Sequence, residues 1–464
     1  MAETQTGNKR FELETELARD LGLMAATTII IGGIIGSGIF GAPAVIAQAV
    51  GSPGAFMLIW IVGGIVAFSG ALCFAELGAL MPRSGGMVVY LKDTYSPIVA
   101  FLYGWAEVVV IQPGSLAAIS VIFTDYLGYF FPSISMDNIV FSVGLPVSTQ
   151  HLAVIVVLGV LGAINYVGVR WGGLVATVST AGKVIALMAL VALAAWVGGS
   201  WDHFSPGFTS TREVSLVDAF GIAMVGILFS YNGWSNTNNV VGEVKDPRRV
   251  LPLAIVIGLG VCIIVYLAVN WAFLYVMSVD EIAGSGRIAA DVAERLIGPV
   301  GGSLISIAVM ISTFGTVNAG LVYIPRIPYG MAREGLFFNW FSHVHETFRT
   351  PSRAIATMAI WSAFWVVFLG SFQNIINAIM YVLFAFYIMS IVALFKLRKK
   401  YPDAERPFKV PGYPFTPLLF AVLSSVYIIS FLYSQFNDAI PGLVVLALGI
   451  PVYWIWFRGK QKDA

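Results

Sequence analysis

Long apolar segments separated by short polar ones run through most of the chain. From Leu21 to Ala75 there is no Asp, Glu, Lys, Arg or His, and comparable segments recur as far as residue 457. A helix that crosses a bilayer needs roughly 20 apolar residues, so the pattern predicts an all-α polytopic membrane protein. The chain has room for about twelve such transmembrane helices, at approximately 21–50, 54–81, 97–130, 149–169, 173–198, 217–241, 251–277, 300–330, 352–371, 373–396, 414–434 and 439–457.

Composition agrees with a protein embedded in a lipid bilayer. Of the 464 residues, 58% are hydrophobic and only 11% are charged, which lies outside the usual range of soluble proteins. The net charge of +1 argues against a nucleic-acid partner. Cys73 and Cys262 both fall inside predicted spans, so we expect neither a structural disulfide nor a disulfide-linked partner subunit.

Motifs of metal sites and enzymes are missing from the sequence. His343 and His345 are two positions apart with no cysteine nearby, a spacing that does not suit a metal site on a helix. HExxH, GxSxG and GKS or GKT motifs are absent. We therefore expect no metal, no cofactor and no enzymatic activity.

The basic residues predict the orientation in the membrane. If alternate loops share a side, 22 of the 26 Lys and Arg residues lie on the side of the amino terminus, and three lie on the other side (Arg212, Arg287 and Arg295). Basic residues concentrate in cytoplasmic loops. Both termini, residues 1–20 and 458–464, are therefore predicted to be cytoplasmic, with the chain in a plasma or bacterial inner membrane.

The first predicted span is interrupted by the sequence GGIIGSGIF at residues 32–40. Glycine is a poor helix former. Backbone groups left unpaired inside a bilayer are costly unless they line a cavity or meet a ligand. The segment therefore predicts a broken helix with a binding site, or alternatively a close helix contact, because Gly32 and Gly36 form a GxxxG pair.

The sixth predicted span carries a second interruption, FSYNGWSNTNN at residues 229–239. Asn and Ser compete with the backbone for hydrogen bonds, and Gly233 lies among them, so the segment predicts unwinding or, alternatively, a polar helix face that lines a pore. Breaks at corresponding positions indicate an inverted repeat of two five-helix halves, 21–198 and 199–396, with the last two helices in 397–457.

Broken helices expose backbone groups of both polarities. The amides of Ser37, Gly38 and Ile39 begin the second half of span 1 and form an anion site. Carbonyl groups at the opposite helix ends attract a cation, and they belong to Ile34, Phe229, Ser230 and Asn232. A ligand with a carboxylate and an ammonium a few ångströms apart satisfies both sets, and an α-amino acid has that shape. The predicted substrate site also includes Ile35, Gly36, Gly233 and Ser235.

Five motifs resemble the amino acid–polyamine–organocation superfamily, and in particular its L-type amino acid transporter branch. They are IIGSGIF, LCFAELGALMPRSGG, TAGKVIAL, FSYNGW followed by GEVKDPRRVLP, and FGTVNAGLVYIPRIPYGMAREG. The resemblance covers most of the chain. It implies the five-plus-five inverted repeat of the LeuT-like fold, with discontinuous helices 1 and 6, and amino acid transport by alternating access.

The resemblance also implies roles for individual residues. Ser37 and Gly38 would bind the substrate carboxylate; Ile34, Phe229 and Asn232 would offer carbonyl groups to its ammonium. Phe229 and Trp234 would act as aromatic gates. The chain departs from many relatives in its more polar Asn232 and 235–239, and in Val88. Eukaryotic relatives bind a heavy subunit through a cysteine between spans 3 and 4. Because residues 131–148 contain none, the chain resembles a bacterial-type transporter without that subunit.

Lys183 lies about ten residues into predicted span 5, where a charge is costly unless it is paired. In the family this lysine stands where sodium-coupled relatives bind an ion. We expect its ammonium to reach the carbonyl groups near Gly33 and polar groups of span 8. The span 8 candidates are Ser312, Thr313 and Thr316.

Glu76 and Glu107 are the other ionisable candidates within the predicted spans. For Glu76 we expect a structural hydrogen-bonding role near the cytoplasmic end. Glu107 could be a packing carboxylate, a proton site, or the partner of a cationic substrate side chain.

These features predict a sodium-independent exchanger of small to medium neutral amino acids. The alternatives are a carrier of cationic amino acids or polyamines that uses Glu107, a proton-coupled symporter, and a membrane sensor that binds amino acids without moving them.

Overall fold

A computed structural model describes residues 22–81, 86–167, 172–210, 212, 215–235, 244–333 and 335–456. Within these residues the fold consists of α-helices, a few short helical turns and one two-stranded β-hairpin. The predicted terminal segments 1–20 and 458–464 lie outside the described residues. The all-α polytopic class predicted from the sequence is confirmed.

The first half of the described chain contains eight α-helices. They are α1 (Leu23–Ile34), α2 (Gly38–Val50), α3 (Pro53–Leu80), α4 (Met87–Thr94), α5 (Pro97–Ala106), α6 (Gln112–Phe130), α7 (Thr149–Val167) and α8 (Gly172–Val197). A short π-helical turn, Glu107–Ile111, joins α5 to α6. The antiparallel hairpin β1 (Ile139–Val143) and β2 (Leu145–Ser148) lies between α6 and α7.

The second half contains ten more helices. They are α9 (Leu216–Ser230), α10 (Pro247–Val276), α11 (Val279–Gly284), α12 (Ile288–Ile297), α13 (Pro299–Tyr323), α14 (Arg326–Arg333), α15 (Ser352–Leu369), α16 (Phe372–Lys400), α17 (Phe415–Ser434) and α18 (Phe436–Trp456). The predicted spans 352–371 and 373–396 leave almost no loop between them, and the structure agrees: Gly370 at φ +76° ends α15, and α16 starts two residues later.

Ten helical segments among the described residues are long and apolar enough to cross a bilayer, and the bent pair α1–α2 makes eleven. The sixth predicted span is represented by the shorter apolar helix α9. Residues 236–241 of that span lie outside the described residues.

The bent pair α1–α2 packs on several other helices. Helix α1 packs on α8 and α10, while α2 packs on α9. Helix α8 in turn packs on α13. This arrangement brings both interrupted segments, Lys183 and the middle of α13 into one region of the protein.

Candidate functional site

The predicted break in the first span is observed as a local loss of helical hydrogen bonding. Helix α1 ends at Ile34 and α2 begins at Gly38, and the two axes differ by 41°. The Gly36 amide donates to the Ile34 carbonyl, N to O 2.8 Å, instead of continuing the helix ladder. Its usual acceptor, the Gly32 carbonyl four residues back, is thereby released for another donor.

The amino-terminal end of α2 offers unpaired donors. Among the described residues, the amides of Ser37, Gly38 and Ile39 have no hydrogen-bond partner. The Ser37 hydroxyl is also unpaired, although the residue is only 1% exposed. Unpaired donors at a helix amino terminus attract an anion, so this end is chemically suited to a carboxylate.

The two interrupted helices touch through glycines. A Cβ atom on Gly38 would lie 2.5 Å from the Ser230 Cα, so any side chain there would collide with backbone. Gly233 has φ +126°, and its Cβ would lie 2.7 Å from the Gly33 carbonyl oxygen. The close helix contact predicted from the GxxxG pair is also observed at Gly32, where a Cβ atom would collide with Thr180 Oγ1 of α8.

The second interruption starts where α9 ends at Ser230. Residues 231–233 form turns, and the Asn232 amide donates to the Phe229 carbonyl, N to O 3.1 Å. Because Gly38 lies against Ser230, the carboxyl end of α9 is beside the amino end of α2. The helix dipoles make the end of α9 negative and the start of α2 positive.

Tyr266 of α10 joins the two breaks. Its hydroxyl lies 2.9 Å from the Ile34 carbonyl oxygen and 3.1 Å from the Ser230 carbonyl oxygen, so one proton is shared between the last carbonyls of α1 and α9. Tyr266 is fully buried. This role could not be predicted from the sequence, because a tyrosine inside a long apolar helix carries no local signal of its partners.

Lys183 lies against the first break. Its ammonium donates to the Ile35 carbonyl at 2.5 Å, to the Gly32 carbonyl at 3.0 Å and to the Thr316 hydroxyl at 3.3 Å. Lys183 thus contacts the carbonyls on either side of Gly33. Of the other expected contacts, Thr313 donates to Val309 within its own helix, and the Ser312 hydroxyl has no partner in the described part of the chain.

The two predicted gate residues lie on either side of the second break. Phe229 is 9% exposed and meets Phe372 edge-on, with ring centroids 5.4 Å apart. Trp234 is buried against Phe74 and Tyr387, each with a centroid distance of 5.0 Å. Both rings are therefore held in place by aromatic contacts.

Polar side chains of the second break meet Tyr387 of α16. The Tyr387 hydroxyl donates to Asn232 Oδ1 at 2.9 Å and lies 2.7 Å from Ser235 Oγ. This link between α16 and the interruption was not expected from the sequence.

Glu107 begins the π-helical turn in the third predicted span. It is buried, and Gln112 Nε2 donates to its Oε2 at 2.6 Å. The Val109 carbonyl in the same turn accepts from the indoles of Trp361 and Trp365 at 2.5 and 2.8 Å. No basic side chain among the described residues forms an ion pair with Glu107.

Glu76 has a different environment from Glu107. It is fully buried, forms a two-pronged pair with Arg398, and accepts from the Val410 amide at 2.7 Å. It thereby fastens α3 to α16 and to the segment before α17, in agreement with the structural role expected for it.

Similarity to known proteins identifies the family. The Amino acid permease family model matches residues 21–456. The chain is 32% identical to the serine/threonine exchanger SteT of Bacillus subtilis (strain 168), over 94% of this chain and 97% of that protein. It is 32% identical to the large neutral amino acids transporter small subunit 2 of Mus musculus, over 96% of this chain and 82% of that protein. It is 30% identical to the cystine/glutamate transporter of Homo sapiens, over 97% of this chain and 87% of that protein.

These relatives are transporters rather than enzymes, and the matches extend over both interruptions. The chain therefore belongs to the amino acid permease family of the amino acid–polyamine–organocation superfamily, together with the L-type amino acid transporters.

Proposed function

We propose that this protein is a sodium-independent exchanger of small to medium neutral L-amino acids, and that it works by alternating access. The observation that carries the proposal is the pairing of opposite helix ends at one place, with unpaired amides at Ser37, Gly38 and Ile39 beside the carboxyl end of α9. A zwitterion complements both ends at once.

The substrate carboxylate would bind the three amides and the Ser37 hydroxyl. Its ammonium would lie toward the carbonyl groups of Phe229, Ser230 and Asn232 at the end of α9. The Ile34 carbonyl already accepts from Gly36 and Tyr266, so it would contribute chiefly through the negative end of the α1 dipole. Ile35, Gly36, Gly233 and Ser235 would complete the site.

Lys183 supports the sodium-independent part of the proposal. Its ammonium occupies the carbonyl oxygens of Gly32 and Ile35, which are the kind of ligand that a sodium ion would otherwise need. A second cation at the same oxygens would be repelled. Lys183 also connects α8 and α13 to the break, so it would transmit movement of those helices to the site.

For the transport cycle we propose that Phe229 and Trp234 close opposite ends of the site, and that the two halves 21–198 and 199–396 move as inverted repeats around it. Helices α17 and α18 would lie outside the repeat, giving twelve spans in a plasma membrane with both termini in the cytoplasm. No cysteine lies in 131–148, so we propose that transport needs no disulfide-linked heavy subunit.

A second candidate is transport of cationic amino acids or polyamines, or proton-coupled symport, and the buried Glu107 favours it. Its carboxylate has no basic partner among the described residues, so a cationic side chain or a proton could supply the missing charge. A sensor that binds amino acids without moving them is the alternative outside transport.

The purified protein in proteoliposomes separates these functions. Vesicles preloaded with unlabelled alanine should take up labelled alanine equally well with sodium or choline outside, and much less without internal substrate. The twenty amino acids, agmatine and putrescine would then be tested as competitors. Stimulation by sodium, or inhibition dominated by arginine, lysine or polyamines, would contradict the proposal. Binding without any uptake would indicate the sensor.

A further inference from the structure

The polar chain formed by Ser235, Tyr387 and Asn232 has a fixed direction. A tyrosine hydroxyl has one proton, and here that proton is donated to Asn232 Oδ1. The Ser235 hydroxyl, 2.7 Å away, must therefore donate to the Tyr387 oxygen. The Asn232 amide is thus oriented with its oxygen toward α16 and its NH₂ group on the other side.

Tyr387 is held rigidly enough to impose that orientation. The residue is 1% exposed, and its ring contacts those of Phe74, Trp234 and Phe384 at centroid distances of 5.3, 5.0 and 5.1 Å. A ring enclosed on several sides cannot change its rotamer without moving its neighbours. The position of its hydroxyl is therefore set by packing and not by the substrate.

Asn232 is the neighbour of a residue that contacts the first break. Tyr231, Gly233 and Trp234 are buried, whereas Asn232 is half-buried, and the adjacent Gly233 touches the backbone of Gly33 in the first break. Among the described residues, Asn232 Nδ2 has no hydrogen-bond partner. A donor is thus presented beside the proposed zwitterion site.

We propose that Tyr387 is a positioning residue for substrate selection: it orients Asn232 so that Nδ2 donates to a hydrogen-bond acceptor on the substrate side chain. The preferred substrates are then small neutral amino acids with a side-chain oxygen, as in serine and threonine, over apolar amino acids of the same shape. This inference rests on the proposed function, since it assigns the side-chain subsite of the same site.

Isosteric pairs of competitors test the inference. Serine and 2-aminobutyrate differ by a hydroxyl in place of a methyl group, as do threonine and valine. In alanine exchange by the unmodified protein, serine should inhibit about fivefold more strongly than 2-aminobutyrate, the value of one net hydrogen bond. Tyr387→Phe keeps the ring but frees the Asn232 amide. The ratio of inhibition by serine to inhibition by 2-aminobutyrate should then fall toward one, because serine binds more weakly. Alanine exchange should be retained.

Two further variants complete the test. Asn232→Leu removes the donor and should also bring the ratio toward one. Tyr427→Phe removes another fully buried hydroxyl, which has no partner among the described residues, and should leave the ratio unchanged. A ratio of one in the unmodified protein, an unchanged ratio in Tyr387→Phe, or loss of alanine exchange in that variant would overturn the inference. Absence of any amino acid exchange by the unmodified protein would instead contradict the proposed function.

Discussion

The two interrupted helices solve the same physical problem in different ways. At the first break, glycines let the backbone unwind, and its exposed carbonyls of Gly32 and Ile35 are satisfied by the Lys183 ammonium. At the second break, polar side chains of the break itself are paired with Tyr387. Within the described residues, the amides at the start of α2, the buried Ser37 hydroxyl and the Nδ2 group of Asn232 have no hydrogen-bond partner.

This difference suggests a division of labour between the breaks. Backbone amides recognise a carboxylate, which every amino acid carries, whereas side chains can distinguish one substrate from another. We therefore expect changes at the first break to affect all substrates alike. Changes among the polar side chains of the second break should alter the ranking of substrates.

The largest effect is expected where the breaks touch. Gly38→Val places its Cβ 2.5 Å from the Ser230 Cα, and because the atom it meets is backbone, the helices must separate. We expect exchange of every substrate to fall at least about a hundredfold, since small displacements at a site cost about that much. The measurement is the initial exchange rate per reconstituted protein. Gly260→Ala, where no atom lies within 4 Å of the added carbon, should behave like the unmodified protein.

Removal of the Lys183 ammonium should be about equally severe. Lys183→Ala leaves the carbonyls of Gly32 and Ile35 without their donor, so exchange should be abolished for all substrates while the amount of protein in the membrane stays normal. Membrane expression and exchange would be measured on the same samples. Unchanged exchange would refute the role assigned to Lys183.

Tyr266→Phe should have a smaller effect, although the hydroxyl that it removes contacts both breaks. It removes the hydroxyl shared by the Ile34 and Ser230 carbonyls but keeps the ring. We expect about a tenfold loss of exchange, because two buried acceptors lose one shared hydrogen bond. The loss should be the same for serine and for alanine. A change in the relative rates of serine and alanine exchange would show that Tyr266 also affects substrate selection. That result would contradict the division of roles between the two breaks.

Ser37→Ala should give the smallest effect. The hydroxyl has no partner in the described structure, so its removal should leave thermal stability unchanged or slightly raised. Half-saturating concentrations of all substrates should rise about fivefold if the hydroxyl binds the common carboxylate. Substrate-specific changes at this position would argue that Ser37 contacts side chains instead. Thermal unfolding and concentration dependence of exchange provide the two measurements.

Local chemistry explains which parts of this architecture could be predicted from sequence. The apolar segments and the glycines at 32–38 act through hydropathy and helix propensity, so the class of fold and the first break were accessible. The carbonyl groups that contact Lys183 were predicted to lie near Gly33, and they belong to Gly32 and Ile35. Which carbonyls are free depends on where α1 ends, and it ends at Ile34.

Contacts between distant helices were not accessible in the same way. Tyr266 and Tyr387 lie in apolar helices whose pattern gives no sign that their hydroxyls reach the breaks. The π-helical turn at Glu107–Ile111 was also missed, because the indole donors that satisfy its Val109 carbonyl come from α15, far along the chain. Such partners become visible only when the helices are packed.

The most direct test of the central claim is whether both charged groups of an amino acid are required for recognition. Alanine, alaninamide and lactate would be compared as inhibitors of alanine exchange in proteoliposomes; alaninamide lacks the carboxylate and lactate lacks the ammonium. If the unpaired amides of α2 and the carboxyl end of α9 hold a zwitterion, only alanine should inhibit at concentrations near its own half-saturation. Comparable inhibition by alaninamide or by lactate would contradict the account.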